Sequence, residues 1–213
     1  MVNLTFLSKS LRIAELMILF IVLPLLFKLN IIPGHKFIPL IIVFGYTLVI
    51  VLTDKNFDRK MLGLNRFNNW RPLLFRFFIV SVLSSLLVYL FEPQAFLFLP
   101  RRNVWLWAMI MIFYPLWSVY PQEFIYRAFF FQRYRFITGN NLIFNILNAL
   151  AFAFLHIIFN NWLAVVLSFG GGLMFAITYA RYKSLMLVSV EHALYGDMIF
   201  TNGLGKYFYV PDF

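Results

Sequence analysis

Glu123, His156 and His192 are the three side chains of this sequence whose types are best suited to hydrolysis. Each falls in an apolar run of the kind that crosses a membrane, where insertion scales set the cost of a charged group at roughly 2.5–3.5 kcal/mol. A carboxylate with two imidazoles is a common three-ligand set for catalytic zinc, with water in the fourth position. Zinc or another divalent metal held by Glu123, His156 and His192 would bring that water's pKa to about 7 and supply a nucleophile for amide hydrolysis. Without a metal, Glu123 is itself the candidate general base, and the imidazoles polarise the carbonyl. Arg127 stands one helical turn after Glu123, at i+4, and is placed to pair with it. Both mechanisms are open at this level. So are plainer readings: a structural hydrogen-bonding role for either His, and a buried Glu123–Arg127 ion pair.

The elements that must position these residues follow from composition. Hydrophobic residues make up 62% of the 213 positions and charged residues 12%, against roughly 45–50% and 25% in soluble domains. A soluble fold of this size has too little interior for so much apolar side chain, 28 Phe included. The class is therefore a polytopic, all-α transmembrane bundle of seven or eight helices. There is no Cys, which excludes disulfides, thiolate metal sites and thiol nucleophiles. The net charge of +10 reads as basic loops facing an anionic inner leaflet, not as a nucleic-acid surface.

Apolar runs of membrane length occur at about 13–33, 37–53, 72–91, 104–120, 141–159, 162–180 and 184–201. The stretch 121–138 carries Glu123, Arg127, Arg133 and Arg135 and is read as continuing the preceding helix past a kink at Pro121. Pro24, Pro33 and Pro39 are expected to kink or end helices in the first hairpin. The first run follows Lys9 and Arg12 but lacks a small-residue cleavage site, so it is expected to be a retained helix. With the amino terminus inside, Lys28, Lys36, Arg101, Arg102 and Lys206 fall outside; the other 13 of the 18 basic residues fall inside or at inner ends of spans, as the positive-inside rule expects. Two units are expected: 1–103, amino-terminal helices with a basic loop at 54–71, and 104–213, carrying the chemistry.

Intramembrane polarity concentrates in that second unit. Of eight acids, Glu15, Glu123, Glu191 and Asp197 lie in apolar runs; His35 lies in a loop, while His156 and His192 lie deep. Glu123 and His156 each stand about sixteen residues from the turn at Thr138-Gly139-Asn140, roughly 25 Å along antiparallel helices, and so at one depth. His192 is about nine residues, or roughly 13 Å, into its helix from the Arg181–Lys183 loop. Glu15 is expected to pair with Arg12 or reach toward the interface, and Glu191 to bond a neighbouring helix. The Gly170-Gly171-Gly172 run reads as close helix packing.

These residues form an ordered set of motifs. Gln122-Glu123-Phe124-Ile125-Tyr126-Arg127 resembles the first motif of the CPBP family (CAAX protease and bacteriocin processing) of intramembrane proteases, Glu-Glu-xxx-Arg. Phe152-Ala153-Phe154-Leu155-His156 matches its second, Phe-xxx-His, and His192-Ala193-Leu194-Tyr195-Gly196 resembles its third, His-xxx-Asn. The resemblance covers about 118–200. It implies an all-helical membrane endopeptidase, metal-assisted or metal-free, in which Glu123 and His156 activate water and His192 ligates metal or stabilises the oxyanion. Two departures stand out: Gln122 replaces the Glu usually assigned as base, and Gly196 replaces the Asn. Asp197 follows but points about 140° from His192 on a regular helix, unless a bulge at Gly196 brings it round.

The expected function is an intramembrane endopeptidase acting on a membrane-associated protein or peptide, in contact with lipid and not nucleic acid, in a bacterial cytoplasmic membrane. The alternative is a non-catalytic relative that binds peptides as an immunity or scaffold protein, which Gln122 and Gly196 favour. A proton-coupled transporter is a third class, without the symmetric halves that would support it.

Overall fold

The computed structural model describes residues 6–32, 37–62 and 70–208. Pro33, His35, Lys36 and Arg66 lie outside them. Within the described residues the chain is helical, with no strand. Helix α1 runs Leu7–Lys28, α2 Phe37–Thr53, α3 Arg71–Phe91, the short α4 Phe98–Arg102, α5 Val104–Ile137, α6 Asn141–Phe159, α7 Trp162–Tyr182 and α8 Leu185–Asn202, followed by a 3₁₀ turn over Leu204–Phe208. The all-α bundle expected from composition is the observed class.

Five of these helices, α1, α3, α5, α6 and α7, are long and apolar enough to cross a membrane; α2 is apolar but shorter. Helix α8 is not in that set, because Glu191, His192 and Asp197 dilute its apolar run. It is instead an interior helix, with Leu185, Leu187, Val188, Glu191 and His192 all buried.

Local signals start the helices that carry the site. Asn103, Asn140, Asn161 and Ser184 each accept a hydrogen bond from a backbone N–H in the first turn of α5, α6, α7 and α8, at 2.8–3.2 Å. Such caps satisfy donors that a helix start leaves open. Helix α8 ends on Gly203, whose φ of +109° suits a residue without a side chain.

Helix α5 does not break at Pro121. It runs on through π turns at Pro115–Val119 and Phe124–Phe129, which bracket the α-helical turn Tyr120–Glu123. Helix α1 has a π turn at Ile18–Val22 and continues past Pro24. Against α5 it packs Phe20, whose ring meets Tyr126 and Phe130 edge-on at 5.1 and 5.2 Å.

Two polar expectations change. Glu15 pairs with Arg133 at 2.8 Å, not with Arg12, and also accepts from Tyr46 and Tyr134; Arg12 donates to the Arg133 carbonyl. The basic end of α5 lies against α1, where Arg133 and Tyr134 both reach Glu15. Glu191 does bond a neighbouring helix: Arg76 of α3 pairs with it and also reaches Thr178 of α7, at 3.0 Å.

Candidate active site

The carboxylate of Glu123 is fully buried and held from two sides. Its Oε1 accepts from His192 Nδ1 at 2.8 Å, and its Oε2 forms an ion pair with Arg127 Nε at 3.0 Å. Arg127 is also fully buried and spreads its remaining donors over Asn148 Oδ1 and, at 3.3 Å, the Gly172 carbonyl. Its guanidinium carbon lies 5.3 Å from the ring centre of Phe152. Asn148 in turn donates to the Tyr126 carbonyl at 2.7 Å. One acid and one base thus neutralise each other in the core, with most of the remaining hydrogen bonds completed by amide groups, as a buried charge pair requires. Sequence reading did not single out Asn148, although a buried-helix Asn at the depth of Arg127 was a usable signal.

The two histidines flank one ring. Phe152 lies 4.9 Å from His156 and 5.5 Å from His192 between ring centres, and Phe175 stacks on His192 at 4.6 Å. Gly172 allows this. A Cβ there would come within 2.9 Å of Phe152, so Gly172 serves close packing of α6 on α7, while Gly170 and Gly171, like the two histidines, line a large cavity.

The hydrogen bonds fix both tautomers. A backbone carbonyl only accepts, so His156 Nδ1, 2.8 Å from the Phe152 carbonyl, carries its proton. A carboxylate likewise only accepts, so His192 Nδ1 carries a proton toward Glu123. In the neutral rings the lone pair is then on Nε2. That of His192 faces the Tyr114 hydroxyl at 3.2 Å.

Both imidazoles line a cavity of about 1260 Å³, together with Tyr114, Ser118, Gln122 and Gly196 and a mostly apolar wall from α1, α2 and α7. Glu123 and Arg127 are not on that wall; His192 stands between them and the cavity. Gln122 donates to Ser118 at 2.7 Å, and its buried side-chain oxygen has no partner.

Asp197 is not brought to His192. Helix α8 is regular through Gly196, with no bulge, and Asp197 is not on the cavity wall. Glu191 faces Arg76 instead. Among the described residues, no group of three His, Cys, Asp or Glu is gathered so as to hold a metal ion. The partners show why: one nitrogen of His192 and one oxygen of Glu123 face each other, and the second atom of each is engaged elsewhere. As arranged, Glu123, His156 and His192 do not fit a three-ligand site.

Tyr114 is the residue that sequence reading missed. On an unbroken α-helix it would stand nine steps from Glu123, about 180° round the axis. The π turn at Pro115–Val119 absorbs one residue and leaves an offset of about 80°, so both residues address His192.

Residues 99–196 match the family model described as type II CAAX prenyl endopeptidase Rce1-like. The match spans all three motifs. The match covers just under half of the chain and is consistent with a CPBP-family member. The chain departs from the family pattern at Gln122 and Gly196. The family is one of proteases, which supports a peptidase at family level, and the long apolar helices agree with an integral membrane protein. No curated protein and no solved structure gives a significant match.

Proposed function

We propose that the protein is an intramembrane endopeptidase that hydrolyses a peptide bond in a membrane-associated peptide or protein entering the apolar cavity. The observation that carries this reading is the Glu123–His192 contact at 2.8 Å, with the other nitrogen of His192 turned to the cavity. A carboxylate behind an imidazole fixes its tautomer and stabilises the cation it becomes on taking a proton. Here Arg127 holds the carboxylate, the carboxylate holds His192, and His192 Nε2 is the base. Glu123 thus activates water through His192, which relieves Gln122 of a role that a carboxamide cannot fill.

The step balances without a covalent intermediate. The water oxygen attacks the carbonyl carbon while His192 Nε2 takes one of its protons, and the carbonyl π pair moves to oxygen. The C–N bond then breaks, and the proton on Nε2 passes to the leaving nitrogen. His156, with its proton fixed on Nδ1, offers Nε2 as acceptor for the second hydrogen of the water and so orients it. No step is routed through a metal.

The test is cleavage of internally quenched membrane-spanning peptides, and of a prenylated CAAX-type peptide, by protein reconstituted in vesicles. Glu123→Gln and His156→Ala are expected to lower the rate about 10²-fold or more, in the range of general acid–base catalysis, with thermal unfolding unchanged in His156→Ala and lowered in Glu123→Gln, which leaves Arg127 without its counter-charge. Unimpaired cleavage by either variant would overturn the assignment.

A second reading rests on Gln122. With a carboxamide at the first-motif position, bonded to Ser118 at 2.7 Å, the cavity would hold peptides without cutting them, as an immunity or scaffold protein does. Peptide binding by wild type without turnover would select that reading.

A further inference from the structure

The buried polar atoms of α5 and α8 form one line from core to cavity: Arg127, Glu123, His192, Tyr114. Tyr114 is its outer end. The phenol is on the cavity wall, and its oxygen lies 3.2 Å from His192 Nε2. Its ring occupies the space that a side chain at position 196 would need. A Cβ on Gly196 would fall 2.2 Å from Tyr114 Cε1 and 2.4 Å from its hydroxyl oxygen. Position 196 is one turn beyond His192, so any side chain there would stand directly beside the imidazole. An Asn at 196, which the third motif calls for, and Tyr at 114 therefore compete for one place. This chain has filled it from α5.

We infer that the Tyr114 hydroxyl is a catalytic hydrogen-bond donor, standing where the missing third-motif side chain would be and stabilising the oxyanion of the scissile carbonyl. The inference deepens the endopeptidase reading and rests on it. At rest the hydroxyl proton points at the Nε2 lone pair. When a substrate carbonyl arrives, rotation about the Cζ–Oη bond turns that proton to the carbonyl oxygen and frees Nε2 for the proton of water. Once Nε2 is protonated it donates to the phenol oxygen, so every donor in the line from His192 outward points toward the developing negative charge. A donor preset beside the reacting carbonyl, in a site that excludes bulk water, acts where charge develops.

The experiment compares wild type, Tyr114→Phe, Gly196→Asn, Tyr114→Ala and the double variant Tyr114→Ala/Gly196→Asn in the same vesicle assay, with thermal unfolding measured beside it. Tyr114→Phe keeps the ring that packs on Phe200, 5.3 Å away, and removes only the hydroxyl. It is expected to lower kcat about 10²–10³-fold, the usual effect of losing one such donor, with KM changed less than about twofold, the signature of an interaction made only in the transition state. Gly196→Asn alone is expected to lower activity, because its side chain meets the Tyr114 ring. The double variant is expected to recover activity over Tyr114→Ala, and a loss of kcat in Tyr114→Phe, which keeps the ring, is what a packing role for Tyr114 would not give. Wild-type-like kcat in Tyr114→Phe would overturn the inference while leaving the endopeptidase reading intact, as would failure of the double variant to exceed Tyr114→Ala when both fold. A wild type that cleaves none of the peptides would overturn both.

Discussion

Arg127 and Glu123 neutralise each other with no exposure to solvent, and removing one partner leaves a charge in the core. Arg127→Leu is expected to destabilise the protein by about 3–5 kcal/mol, the usual cost of breaking a buried pair, seen as a lower unfolding temperature in detergent. Arg127→Leu/Glu123→Leu is expected to regain much of that stability and no cleavage. A double variant no more stable than the single one would contradict the pair. The same geometry bears on the metal. Sequence reading offered Glu123, His156 and His192 as ligands, but Glu123 Oε1 and His192 Nδ1 satisfy each other at 2.8 Å. Cleavage is therefore expected to persist in a strong chelator. Loss of activity restored by zinc would contradict the dyad. At this scale the chemistry-bearing types were legible, since charge and imidazole in an apolar run need a reason. Their pairwise roles were not, because distance alone shows that His192 stands between Glu123 and the cavity.

At the scale of elements, the departures came where a helix was not regular. Steps of 100° per residue place Tyr114 opposite Glu123, and only the π turn at Pro115–Val119 brings them to one side. No residue pattern announced that turn; at Pro121 the helix continues, as the sequence reading expected. The close approach at Gly172 was legible because small residues in membrane helices mark it, whereas a Cβ at Gly170 or Gly171 would meet no other helix within 4 Å. Gly172→Val would drive branched carbons into Phe152, which even a lone Cβ at that position would meet at 2.9 Å. The substitution is expected to cost about 1–3 kcal/mol while displacing the ring between the two histidines. Unchanged unfolding and unchanged cleavage would contradict that packing. At the end of α3, Lys206 and Tyr207 bond Glu92 and hold its carboxyl below the usual carboxylate range. A lowered folded-state pKa gives stability that is present above the unfolded value and lost as pH falls through the folded one. Hydrogen-exchange protection over Leu204–Phe208, taken relative to the intrinsic rate at each pH, is thus expected to fall on acidification below the normal Glu range, and this fall is expected to vanish in Glu92→Gln. Protection independent of pH in the wild type would contradict the contact.

For the whole molecule, composition was enough for an all-α membrane bundle, because 62% hydrophobic residues leave no soluble alternative. Helix α8, read as a span from its flanking apolar residues, is an 18-residue helix at the interior of the bundle that carries Glu191 and His192. The orientation expected from the basic residues, amino terminus inside, is open to a clean test, since the sequence has no Cys. Single Cys residues at Lys55 and Lys183 are expected to react from the inner side with an impermeant maleimide, and one at Arg101 from the outer side; the reverse pattern would contradict an amino terminus inside. The central claim, that the cavity holds a peptidase whose water is activated by His192 backed by Glu123, is tested most directly by product mass spectrometry. Vesicle-embedded peptides would be incubated with wild type and with His192→Ala. Two fragments that sum to the substrate plus one water, from wild type and not from the variant, are the predicted result. Intact peptide with both proteins, or the same fragments from both, would contradict the account.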